Sequence, residues 1–230
     1  MHQTFRAVIF DLDGVIADSH PVHEIAWRAL LTELRRTVPS TELSLIIRQG
    51  KTRKEILKLL FPGMSSDDEI TIGNRKNELY LANGESLRPV RGVLAWIREL
   101  NDYGVPLAVA TSAARERALD TLARFGIAHL FQAVITSSEI PAGKPNPALF
   151  LVAAEALAVK PAEALVVEDS PSGLTAAKAA GMQTIFYCPE VCDPEIVALT
   201  PDYVIEEFSA SSLTPVMKML NSSTGSGEQA

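Results

Sequence analysis

Six short apolar runs punctuate the chain, at 7–10, 107–110, 133–135, 165–167, 184–187 and 203–205. None alternates with polar residues, which is the pattern of strands covered on both faces in a parallel sheet. Amphipathic segments with helical spacing lie between them, at 93–103, 115–125, 148–157 and 173–180. Three of these stop at Gly104, Gly126 and Gly181, where a left-handed helix cap costs little. Strand and helix thus alternate, which predicts an α/β fold built on a doubly wound parallel sheet. Ligands of such sheets gather at the carboxyl ends of the strands.

The stretch 17–86 breaks the alternation and reads as helices alone, at 22–35, 41–49, 53–60 and 67–81. It is expected to be a helical insert whose two ends return to the sheet near the first strand, giving two linkers that act as a hinge over the crevice. The core is then 1–16 with 87–220, and 230 residues suffice for one domain carrying a smaller insert. The tail 221–230, NSSTGSGEQA, is polar and expected to be disordered.

Composition narrows the functional classes. A net charge of -7 and a pI near 5.2 argue against an extended nucleic-acid surface. No apolar run reaches the roughly 18 residues of a membrane span. The N-terminal MHQTFRAVIFD lacks the basic, apolar and small-residue regions of a signal peptide, so a cytoplasmic protein is expected. Cys188 and Cys192 lack the further Cys or His of a structural zinc site and are read as ordinary thiols. The expected partner is a small phosphorylated metabolite bound by a monomer, with neither nucleic acid nor membrane involved.

The polar residues that follow the buried runs carry the chemistry. Asp11 and Asp13 stand one residue apart where the first strand ends. A carboxylate can attack phosphorus and form an acyl phosphate, and a second carboxyl group can protonate the leaving alkoxide and then activate water. In isolation a D-x-D pair is an ordinary acidic turn. Here a second acidic pair, Glu168 and Asp169, follows another buried run, and together the four supply oxygen ligands for an octahedral Mg2+. A carboxylate attacking a phosphate dianion also needs positive charge beside it. Lys144, in a loop where Asn146 can cap and Pro147 can open the next helix, is the candidate cation. Thr111 and Ser112, after the second run, either hold phosphate oxygens or cap the following helix. No Walker-type or G-x-G-x-x-G loop is present.

Taken in order, Asp11-Leu-Asp-Gly14, Thr111, Lys144 and Glu168-Asp169 resemble the four motifs of the haloacid dehalogenase-like hydrolases, over nearly the whole chain. The resemblance implies a Rossmann-like core with magnesium held by Asp11, the Asp13 carbonyl and Asp169, and Glu168 as a supporting ligand or a group behind the ligands. The helical insert looks like the small cap of the subfamily that contains β-phosphoglucomutase and sugar-phosphate phosphatases. By that likeness His23 is similar to a cap histidine that bonds to the acid/base aspartate. Gly50 and Arg53, in Gln49-Gly-Lys-Thr-Arg53, are similar to the loop whose arginine holds a distal phosphate, and Lys76 lies in another substrate-facing segment. Ser112 and Ala113 fall where the core meets substrate. The chain departs from the mutase pattern at Ala113-Ala-Arg115, where the mutase places a serine and an asparagine.

The expected activity is magnesium-dependent hydrolysis of a sugar phosphate through phospho-Asp11, with β-phosphoglucomutase-like transfer as the alternative. Halide displacement would leave Asp13 and Asp169 without a task. A binding module without catalysis is disfavoured by the full set of nucleophile, acid, cation and metal ligands.

Overall fold

The computed structural model describes residues 5–48, 53–189 and 194–221. In chain order its elements are β1 (Ala7–Phe10), β2 (Ala17–Asp18), α1 (His20–Glu33), α2 (Ser40–Arg48), α3 (Arg53–Leu60), α4 (Ser66–Ala82), β3 (Arg88–Pro89), α5 (Val93–Asp102), β4 (Leu107–Thr111), α6 (Arg115–Arg124) and β5 (Ala133–Thr136). There follow α7 (Ala148–Ala156), β6 (Ala164–Glu168), α8 (Pro171–Ala179), β7 (Gln183–Tyr187), α9 (Pro194–Ala198), β8 (Tyr203–Ile205) and α10 (Ala210–Asn221). The chain divides into two compact units, Met1–Ala17 with Pro89–Ala230, and Asp18–Arg88.

The first unit is built on a six-stranded sheet in the order β5-β4-β1-β6-β7-β8, and every pairing between neighbours is parallel. Both faces are covered, which is why the strands read as unbroken apolar runs. A period of two still sorts their residues. Val8, Phe10, Leu107, Val109, Leu165 and Val167 belong to one core with α5, α6 and α10. Ala7, Ile9, Ala108, Ala110, Ala164 and Val166 belong to the other, against α7 and α8. The second face is alanine-rich, and so are the helix surfaces that meet it, including Ala153, Ala154, Ala176 and Ala177.

The second unit consists of α1 to α4 around its own core of Trp27, Leu30, Leu31, Leu43, Ile47, Ile56, Leu57 and Leu60. Ser65 caps α4 by accepting from the Asp68 amide at 3.2 Å, and Asp67, Asp68 and Glu69 place negative charge in its first turn. Arg75 joins α4 to α1 through a two-point contact with Glu33 at 2.7 and 2.9 Å.

The sheet is the expected doubly wound one, with two informative shifts at element ends. Thr111 and Glu168, read as following their strands, are the last residues of β4 and β6. Helix α8 begins two residues before the expected 173, because Ser170 caps it and Pro171 opens it. Helices α9 and α10 were not expected from the pattern, and α10 continues through Pro215 to Asn221. The rest of the tail call lies outside the described residues. Cys188 is disulfide-bonded, which corrects its reading as an ordinary thiol. Among the described residues no helix is long and apolar enough to cross a membrane.

Gly92 opens α5 at φ +85°, and a Cβ there would lie 1.9 Å from the Phe208 carbonyl oxygen. Backbone strain and a backbone clash coincide at this position. Gly92→Ala is expected to destabilise the protein by more than about 2 kcal/mol, read as a lower urea midpoint at unchanged slope.

Candidate active site

Strand β1 is buried throughout, and its neighbours fix the height at which it ends. Phe10 stands level with Val109 of β4 and Val167 of β6. The Asp11 amide extends the ladder by donating to the Val167 carbonyl at 2.9 Å. Asp11 therefore leaves the sheet beside Glu168, with Thr111 at the end of the strand on its other flank.

Lys144, in the loop before α7, closes this arrangement. Its Nζ donates to Asp11 Oδ1 at 2.6 Å and to Glu168 Oε1, and it lies 4.9 Å from the centre of the Phe150 ring. Asp11 and Lys144 are each 6% exposed and Glu168 is fully buried. The loop's exit is set by Asn146, whose Oδ1 accepts from the Ala148 amide at 2.9 Å, the expected cap.

The other Glu168 oxygen accepts from the amides of Asp169 and Ser170 at 2.8 and 2.7 Å and from the Ser170 hydroxyl at 2.9 Å. That same hydroxyl accepts from the Gly173 amide at 3.1 Å. One serine thus caps α8 and braces Glu168. Both Glu168 oxygens are engaged, so of its two expected roles the arrangement suits the group behind the ligands.

Asp13 is held by a residue that the sequence reading passed over. Arg117, in the first turn of α6, donates from Nη1 to Asp13 Oδ1 at 2.8 Å and from Nη2 to Oδ2. The available signal was a basic residue early in the helix that follows a strand-end motif. Thr111 Oγ1 accepts from the Ala113 amide at 3.1 Å, while the helix cap is Ala114, so Thr111 shapes the turn that carries Ser112 and Ala113 and does not cap α6. Arg115 turns to the Val134 carbonyl at 3.0 Å and to Glu139.

The electrostatics are those of crowded buried carboxylates. Burial pushes the Asp11 pKa up to about 7, with Glu168 and Asp13 adding to the rise and Lys144 opposing it. Burial also raises Asp169 well above the usual carboxylate range, reinforced by Glu168 and Asp11. For Lys144, burial works against the charged form, but Asp11 and Glu168 outweigh it and hold the ammonium ionised. Asp11, Asp13, Glu168 and Asp169 face two cations, Lys144 and Arg117, an excess of two negative charges when all are ionised. One divalent cation balances it. Among the described residues, however, no three acidic, histidine or cysteine side chains converge as a ready metal cage. Of the expected set Asp11, Asp13, Glu168 and Asp169, the side chains of Asp13 and Glu168 face Arg117 and Lys144, and Asp13 was expected to contribute its carbonyl and Glu168 a supporting role.

The helical unit contains its own polar cluster. Lys76 is 3% exposed, lies 2.5 Å from His23 Nδ1, and sits 5.5 and 5.0 Å from the ring centres of Trp27 and Tyr80. The structure thus brings His23 and Lys76 together. Arg53 donates from Nη1 to the Gly73 carbonyl at 3.1 Å, three residues before Lys76 on α4. Gly50 lies outside the described residues.

Gly173 exposes how tightly the core site is built: a Cβ there would lie 1.8 Å from Glu168 Oε1. Gly173→Ala is expected to displace the glutamate and break a buried charge pair, lowering stability by about 3–5 kcal/mol, as measured by thermal and urea unfolding.

Comparison with known proteins places this geometry. The haloacid dehalogenase-like hydrolase family matches residues 8–187. The chain is 31% identical to a phosphorylated carbohydrates phosphatase of Thermotoga maritima over 79% of this chain and 84% of the relative. It is also 31% identical to the β-phosphoglucomutase of Bacillus subtilis, over 77% and 80% of the two chains. The crystal structure of β-phosphoglucomutase from Clostridium difficile superposes with a TM-score of 0.81 at 20% identity, covering 96% of this chain and 99% of that one, which bears on the fold alone. With the strand-end carboxylates and the buried lysine in the family's order, the chain belongs to the haloacid dehalogenase-like hydrolases.

Proposed function

We propose that this protein is a magnesium-dependent phosphatase that hydrolyses a sugar phosphate through an aspartyl phosphate on Asp11. The observation that carries the reading is the buried Lys144 bridge between Asp11 and Glu168, with Asp13 two residues along the chain from the nucleophile. Asp11 is fixed by the sheet and by one ammonium, so its carboxylate is oriented before substrate arrives.

In the first half-reaction an Asp11 oxygen bonds to phosphorus as the bond to the sugar oxygen breaks, and Asp13 gives that oxygen a proton. In the second, water bonds to phosphorus, Asp13 takes a proton from it, and the Asp11–phosphorus bond breaks to release phosphate. Lys144 offsets charge on the phosphoryl group. The turn shaped by Thr111 presents Ser112 and its backbone N–H groups to phosphate oxygens. Asp11, the Asp13 carbonyl and Asp169 would hold the magnesium, with Glu168 behind them, and the two-charge carboxylate excess fits a divalent ion. When bound, the ion neutralises charge between nucleophile and phosphate.

Substrate choice is assigned to His23, Arg53 and Lys76 of the helical unit, and Gly50 belongs to the same assignment. Hydrolysis is favoured over mutase transfer because Arg115 is committed to Val134 and Glu139 where the mutase pattern has a substrate-binding asparagine.

A panel of sugar phosphates assayed with magnesium, scoring both phosphate release and sugar isomerisation, tests the reading. Phosphate release is expected with several substrates, abolished by a chelator and restored by added magnesium. Conversion of a hexose 1-phosphate to the 6-phosphate without free phosphate would replace it with the mutase reading. Asp11→Asn is expected to lose at least about 10³-fold in kcat, and full activity in that variant would sink the aspartyl-phosphate route.

A further inference from the structure

The guanidinium of Arg117 meets both oxygens of Asp13, one from each terminal nitrogen. The two side chains are only 18% and 23% exposed. Planar two-point contact fixes the carboxylate's rotation as well as its position, which a single lysine contact does not. Arg117 is itself fixed, because α6 starts directly after the Thr111 turn and Thr121 donates to the Arg117 carbonyl at 2.8 Å.

Asp13 has two opposite tasks under the proposed reaction: it gives a proton while Asp11 is phosphorylated and takes one from water while phospho-Asp11 is cleaved. An ion-paired, oriented carboxylate serves only the second. We propose that Arg117 is a positioning residue for the dephosphorylation half-reaction, holding the Asp13 carboxylate in the orientation that accepts the proton of the attacking water. In that step the water oxygen bonds to phosphorus, its proton passes to an Asp13 oxygen, and the Asp11 oxygen leaves with the electron pair of the broken bond. The inference rests on the phosphatase reading, and it makes the two half-reactions unequally dependent on one side chain.

Rapid-mixing kinetics with p-nitrophenyl phosphate and magnesium separate them, because p-nitrophenolate departs without needing a proton. In Arg117→Gln the burst of p-nitrophenolate from phosphorylation of Asp11 is expected to stay within about threefold of the wild-type rate, at an amplitude near one per site. Steady-state turnover is expected to fall at least about tenfold. Equal slowing of burst and turnover would mark Arg117 as structural or phosphate-binding and overturn the proposal, as would wild-type kinetics. Should Arg117→Gln fail to fold by thermal unfolding, Arg117→Lys carries the same test, with loss confined to turnover supporting the proposal and parallel loss overturning it. A wild-type protein without phosphate release would instead defeat the phosphatase reading itself.

Discussion

A lysine ammonium enclosed between two carboxylates sets the terms for everything around it. Burying an ion is costly, and burying Lys144 is tolerable only because Asp11 and Glu168 both touch it. Glu168 in turn is tolerable only because its second oxygen is supplied by the amides of Asp169 and Ser170 and by the Ser170 hydroxyl. Asp11 is thereby linked to a helix end about 160 residues away in the chain through a continuous set of hydrogen bonds. Such a set is worth little as net stability, yet it leaves Asp11 a single place to stand.

The same crowding explains why the site is chemically capable. Carboxylates that raise each other's proton affinity are an environment that a bound cation would relieve, as the proposed magnesium would. The two side-chain cations are not interchangeable within it. Lys144 is a point charge that two carboxylates share, whereas Arg117 is a planar fork that meets both oxygens of Asp13.

Much of this was legible in the chain because both the fold and the motifs are local signals. Unbroken apolar runs identified all six strands of the sheet, the residues just beyond them named Asp11, Asp13, Thr111, Glu168 and Asp169, and the loop before Asn146 and Pro147 named Lys144. Arg117 was invisible for a physical reason: it reaches Asp13 across 104 residues of sequence, and one of two arginines at the start of an amphipathic helix carries no mark of its direction. Ser170 was passed over similarly, since a helix-capping serine looks the same whether or not it also braces a buried glutamate. Helix α10 escaped because Pro215 interrupts its pattern. In the helical unit, apolar spacing found four helices, but the partnership of His23 with Lys76 depends on how α1 packs against α4.

The alanine-rich face of the sheet has a further consequence. Small side chains on both sides let α7 and α8 lie close to the strands, and these are the helices that follow Lys144 and that carry Gly173. The space between layers is thus a dimension of the candidate site. A methyl group added at Ala154 or Ala177 would act as a wedge, and its thickness would be felt several residues away as a misaligned ammonium or a displaced glutamate. Drift in this family member's core is constrained by the tolerances of its chemistry as much as by the need to stay folded.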